Sequence, residues 1–121
     1  MDANPVRRDE YIRAVLLAYS KTPGTSGAIR RQDRLLAAQL YEQRVPLIAV
    51  ENALLLAAAR RLFRPSDAPP LTTIRSLAYF SPVIEEVLTL HVSQDYFLYL
   101  RYKIDRFTQT TQGRRFIPSD R

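Results

Sequence analysis

The stretch VENALLLAAARRLF, Val50 to Phe63, carries apolar residues on every side of a helical cylinder. A helix lying on a protein surface shows a polar stripe, and one that is apolar all round is enclosed by its neighbours. Ala53 and Ala57 to Ala59 let those neighbours approach closely. A helix from Leu47 to Phe63 therefore has to stand at the centre of other helices. It cannot cross a bilayer, because the unbroken apolar run Ala53 to Ala59 is far too short.

The flanking sequence supplies those other helices. Asn4 can cap a first helix, with Pro5 at its first position and an end near Ser20. Tyr11, Val15 and Ala18 form its inner row. Lys21 to Gly27, KTPGTSG, is a loop by its proline and glycines. A second helix follows from Ala28 to Gln43, with Ile29, Leu36 and Leu40 inward and Arg30, Arg34 and Tyr41 on another face. Arg44 to Pro46 makes a tight connection, and Arg64 to Pro70 a second loop.

In IRSLAYFSPVIEEVL, Ile74 to Leu88, the apolar face joins Ile74, Leu77, Ala78, Ile84 and Leu88, widened by Phe80, Val83 and Val87. Pro82 cannot donate to the Ala78 carbonyl, and Ser81 before it is biased away from helical angles. One helix kinks there, or two short helices meet with Ser81 capping the second. Ser93 can cap a last helix, Gln94 to Phe107, whose stripe is Tyr96, Phe97, Leu100, Ile104 and Phe107. From Thr108 onward no periodicity is seen. No period-2 run bounded by turn residues marks a strand. The expected fold is an all-α single compact bundle of five to six helices, residues 1–107, followed by a mobile basic C-terminal tail, residues 108–121.

Few kinds of chemistry are open to this chain. Without cysteine there is no disulfide, thiolate metal site or cysteine nucleophile, which fits a reducing cytosol. The charged first ten residues do not read as a signal peptide. His91 is the only histidine, near a helix end. Glu85 and Glu86 diverge by about 100° on a helix and cannot act on one substrate as an acid–base pair. No metal-ligand spacing or glycine-rich phosphate loop is present. The expectation is a protein that is not an enzyme and has no cofactor and no metal.

Charge points to partners. The net charge is +6, and the excess lies at the two ends of the chain. Such a surface attracts phosphate-rich polymers or anionic membranes, although a basic protein can equally be merely soluble. Three arginine-bearing surfaces result: Arg30, Arg31 and Arg34 with Tyr41; Arg60, Arg61 and Arg64; and Tyr99, Tyr102, Lys103 and Arg106, continued by Arg114 and Arg115. The second set also suits the negative pole of a helix dipole. The third combines cations with aromatic rings, the pairing that holds single-stranded nucleic acid. Its tyrosines could instead pack on a neighbouring element. A helix-turn-helix reading fails, because the first turns of its second helix would offer Leu47, Ile48, Ala49 and Val50 to the bases.

Two segments, LYEQRVPLIAVENAL (Leu40 to Leu54) and Tyr79-Phe80-x-x-Val83-Ile84, resemble the DnaD-like helical domain of bacterial and phage replication-initiation proteins. The likeness covers residues 40–88. Val87 stands where the family usually has tryptophan, and Pro82 interrupts the motif. The resemblance implies a replication accessory role, with a replicative helicase as a protein partner. It also implies DNA contacts at Tyr79 and along the basic segment Tyr99 to Arg115. The expectation is a DNA-binding accessory protein for replication or mobile-element maintenance, with no membrane association. The alternative is a helical adaptor or inhibitor that docks a protein. A homo-oligomer is compatible with either.

Overall fold

A computed structural model describes residues 7–65, 67–90 and 93–116, with side chains described as far as residue 107. Five α-helices follow in order: α1 Arg8–Lys21, α2 Arg31–Glu42, α3 Leu47–Leu62, α4 Ser81–Thr89 and α5 Gln94–Phe116. A short 3-10 helix, Leu77–Phe80, leads directly into α4. Among the described residues there is no strand; an isolated parallel bridge links Thr25 to Ile74. The fold is all-α.

Helix α3 is the axis, and α1, α4 and α5 all pack on it. One side of α3 (Val50, Ala53, Leu54, Ala57) meets Val15 and Tyr19 of α1 together with Leu77, Phe80 and Ile84. The opposite side (Leu55, Leu56, Ala58, Ala59) meets Phe97, Leu100 and Ile104 of α5. Val83 and Val87 of α4 touch both clusters. This double use explains why no polar stripe interrupts the α3 sequence. Its buried Asn52 donates to Gln94 Oε1 at 3.2 Å, so the polar group is satisfied at the start of α5.

Helices α1 and α2 form an antiparallel pair. Arg8 meets Glu42 at 3.3 Å, and the Tyr11 and Tyr41 rings meet edge-on at 5.3 Å. The Tyr11 hydroxyl donates to the Val45 carbonyl at 2.7 Å, and burial pushes its pKa up to about 12. Helix α1 begins at Arg8 with the extended Arg7 as its N-cap, three residues after the start expected at Pro5; Asn4 and Pro5 themselves lie outside the described residues. Helix α2 begins three residues later than its periodicity suggests, with Arg30 as N-cap. The Arg30 amide donates to Asp33 Oδ2 at 2.8 Å, and the Leu77 amide donates to Asp33 Oδ1 at 2.9 Å. One buried carboxylate thus caps α2 and holds the 3-10 helix against it. Burial and the nearby Asp33 charge raise the Tyr19 pKa, against the opposing pull of Arg30.

The Ser81-Pro82 pair resolves as two short helices in direct succession. The cap differs from expectation. The Ser76 side chain accepts from the Ala78 amide at 3.0 Å, and Ser81 is already the first residue of α4. Pro82 falls in the first turn of α4, where a missing N–H costs nothing. The change of helix type rotates the apolar face. Ile74, Leu77, Phe80 and Ile84 are buried, whereas Ala78 and Leu88, expected inside, are exposed.

Glu85 is exposed, and Glu86 takes a two-pronged ion pair from Arg60. Hydrogen bonding from Arg60 holds the Glu86 carboxyl below its ordinary pKa. A carboxyl depressed in the folded state stabilises above its unfolded pKa, about 4.3. That contribution is lost as pH falls further. Glu86→Gln is expected to flatten the acid limb of stability below about pH 4.5 and to remove a small increment at neutral pH. Urea unfolding at several pH values checks it; parallel acid limbs would refute the linkage.

Helix α5 continues to Phe116, beyond the Phe107 end expected from its stripe. No proline interrupts it before Pro118, and extending an existing helix costs far less than nucleating one. The segment 108–116 is helical in backbone, so the helix itself ends later than the periodicity suggests. Residues 117–121 lie outside the described residues.

Candidate nucleic-acid interface

Helix α5 packs principally on α3, through Phe97, Leu100 and Ile104. At about 100° per residue, Tyr99, Tyr102, Lys103 and Arg106 share the opposite arc. Both tyrosines are more than half exposed, at 54% and 58%. Lys103 Nζ lies 5.0 Å from the Phe63 ring centroid and 5.6 Å from that of Tyr99. Arg106 donates to the Tyr102 hydroxyl at 2.9 Å, a bond that raises its pKa further. One guanidinium N–H is used there, which leaves further donors for a phosphate. Neither Lys103 nor Arg106 has an ion-pair partner among the described residues. Asp95, one turn before Tyr99, bounds the patch with a negative charge.

Two residues join this patch that periodicity assigned elsewhere. Phe63 caps the C-terminus of α3 and meets Phe107 edge-on at 5.7 Å. Together with the α5 residues they line a shallow cleft of about 450 Å³. Phe107 and Tyr96, expected in the buried stripe, are 40% and 43% exposed. Phe107 lies where α3 has ended, so no opposing helix remains to cover it. No pattern within α5 announces this; only the relative lengths of α3 and α5 do.

The other expected site residues lie apart. Arg30, Arg31 and Arg34 are exposed at the start of α2, separated from α5 by α1 and α3. Tyr41, expected beside them, lies about 10–16 Å further along α2 and packs on Tyr11. Tyr79 sits on the 3-10 helix, where its hydroxyl accepts from Arg61 at 3.3 Å and its ring meets Phe80. Arg61 and Phe63 leave the end of α3 roughly 200° apart, so Tyr79 and the α5 patch flank that end on different sides.

The Arg60, Arg61 and Arg64 surface is internally engaged. Arg60 holds Glu86, Arg61 donates to the Thr72 carbonyl at 2.7 Å, and Arg64 to that of Pro69 at 2.9 Å. Arg61 and Arg64 fasten the loop after α3, and Arg60 ties α3 to α4. Arg114 falls in the helical row of Lys103, and Arg115 about 100° from it; their side chains lie outside the described residues, as does His91. Among the described residues no cluster of His, Asp or Glu could hold a metal ion, and no helix is long and apolar enough to cross a membrane.

No family model, no curated protein and no solved structure matches this chain.

Proposed function

We propose that this protein is a non-enzymatic DNA-binding accessory factor that grips single-stranded DNA along the outer face of α5. The observation that carries this reading is the exposed Tyr99–Tyr102–Lys103–Arg106 arc. Its rings are open to bases, and its cations lack carboxylate partners among the described residues. Stacking on tyrosine tolerates any base, and arginine and lysine neutralise phosphates, so binding is tolerant of sequence. Backbone helix through Phe116 adds Arg114 and Arg115 along the same element. The likeness of residues 40–88 to the DnaD-like domain supports a role in replication initiation or mobile-element maintenance, beside a replicative helicase.

A salt titration of oligothymidylate binding tests the reading. The logarithm of affinity should fall with the logarithm of salt at about −0.7 per neutralised phosphate. Arg106→Glu combined with Arg114→Glu and Arg115→Glu should weaken binding and flatten that slope. Binding absent at low salt, or indifferent to these changes, defeats the proposal. An adaptor role is the second reading, favoured by Leu90 and Leu98, about half exposed near the start of α5. A protein partner retained on pull-down after nuclease treatment supports it.

A further inference from the structure

The α2 arginines, left out of the α5 patch, border a different feature. Between α1 and the start of α2 runs a groove of about 460 Å³. Ile12, Leu16, Leu17 and Ile29 make its apolar lining, and Arg13 and Arg34 stand at its edges. Leu17 is 52% exposed, a large aliphatic side chain with no cover. An apolar cavity of about 150 Å³ accommodates a benzene-sized group, so this groove has room for roughly three such groups.

Charge decides what would lie there. Neither Arg13 nor Arg34 has an ion-pair partner among the described residues. Arg30 and Arg31 follow Ile29 at the N-terminus of α2, where the helix dipole adds positive potential. Asp9 alone contributes negative charge to the lining, and Asp33 nearby is buried and committed to backbone amides. No aromatic ring lines the groove, so bases find no stacking surface. A concave aliphatic floor also fits side chains better than a flat bilayer.

The geometry points to a docking site for an acidic amphipathic helix of a partner protein. Its leucine-like side chains at i, i+3, i+4 and i+7 enter the groove, and its carboxylates meet Arg13, Arg34, Arg30 and Arg31. This site is independent of the α5 patch and does not need DNA binding to be correct.

Fluorescence anisotropy with a labelled model peptide tests it. The peptide carries leucine at those helical positions and glutamate elsewhere, and a control replaces glutamate with lysine. The acidic peptide should bind, and the basic one should bind at least about tenfold more weakly. Arg13→Gln/Arg34→Gln should cost the acidic peptide about tenfold, and Leu17→Ser a similar factor, with helicity by circular dichroism unchanged. Oligothymidylate binding by both variants should stay within about threefold of the parent, since α5 is untouched. The inference is overturned by equal binding of the two peptides or by peptide binding that ignores these substitutions. It is also overturned if they instead abolish binding of oligonucleotide or of phosphatidylserine vesicles, or if they alter the mass measured by light scattering. The last result would make the groove a contact between copies of this chain.

Discussion

Asp33→Ala is expected to lower the unfolding free energy by roughly 2–4 kcal/mol, combining a lost helix cap with a lost charged hydrogen bond. The carboxylate is 1% exposed and accepts from two backbone amides, those of Arg30 and Leu77. Removing it leaves the buried Leu77 amide unsatisfied away from water, which is costlier than never having made the bond, and takes the cap from the part-buried Arg30 amide. The effect falls on two places at once. The first turn of α2 frays, and the 3-10 helix loses its tie to α2 just where Leu77 and Phe80 enter the core. Asp33→Asn keeps one acceptor and should lose about half as much. Urea denaturation reads both, with an unchanged dependence on denaturant showing that compactness is preserved. An Asp33→Ala protein within about 0.5 kcal/mol of the parent would mean that this carboxylate does not join the two elements.

Tyr99→Ala/Tyr102→Ala should weaken oligothymidylate binding by at least about thirtyfold. Base stacking on an aromatic ring contributes about 1–3 kcal/mol, so two lost stacks exceed roughly 2 kcal/mol even at the low end. Both rings are more than half exposed, so truncation leaves the fold intact. The salt slope should change little, because the cations remain. Tyr99→Phe/Tyr102→Phe keeps both π-faces and should stay within about threefold of the parent, despite losing the Arg106–Tyr102 hydrogen bond. This pattern separates stacking from simple charge attraction. If the alanine pair binds as well as the parent, the tyrosines are not a platform for bases.

Much of the helical skeleton was legible from local pattern. The bounds of α3, the presence of a loop after α1 and the break at Ser81-Pro82 all follow from period, proline and glycine, although that loop runs from Thr22 to Arg30 rather than from Lys21 to Gly27. The exposed arc of α5 followed from spacing as well. The faces around Pro82 were less legible, because a 3-10 helix advances by a different angle per residue from an α-helix. Asp33 was missed as a structural residue. Its place three residues after the N-cap is a sequence signal for capping, but its second acceptor serves an amide 44 residues away.

Local stereochemistry, written in the order of residues, decided which segments become helices and that α3 must be enclosed. Chain packing alone decided which side chains remain available. Arg60 and Arg61 looked as free as Arg106 until the fold brought Glu86 and the Thr72 carbonyl to them. Phe63 joined Tyr99 and Lys103 because α5 runs past the end of α3. Helical periodicity acts over a few residues, whereas these partnerships close loops of eleven to forty residues, beyond the reach of any local rule.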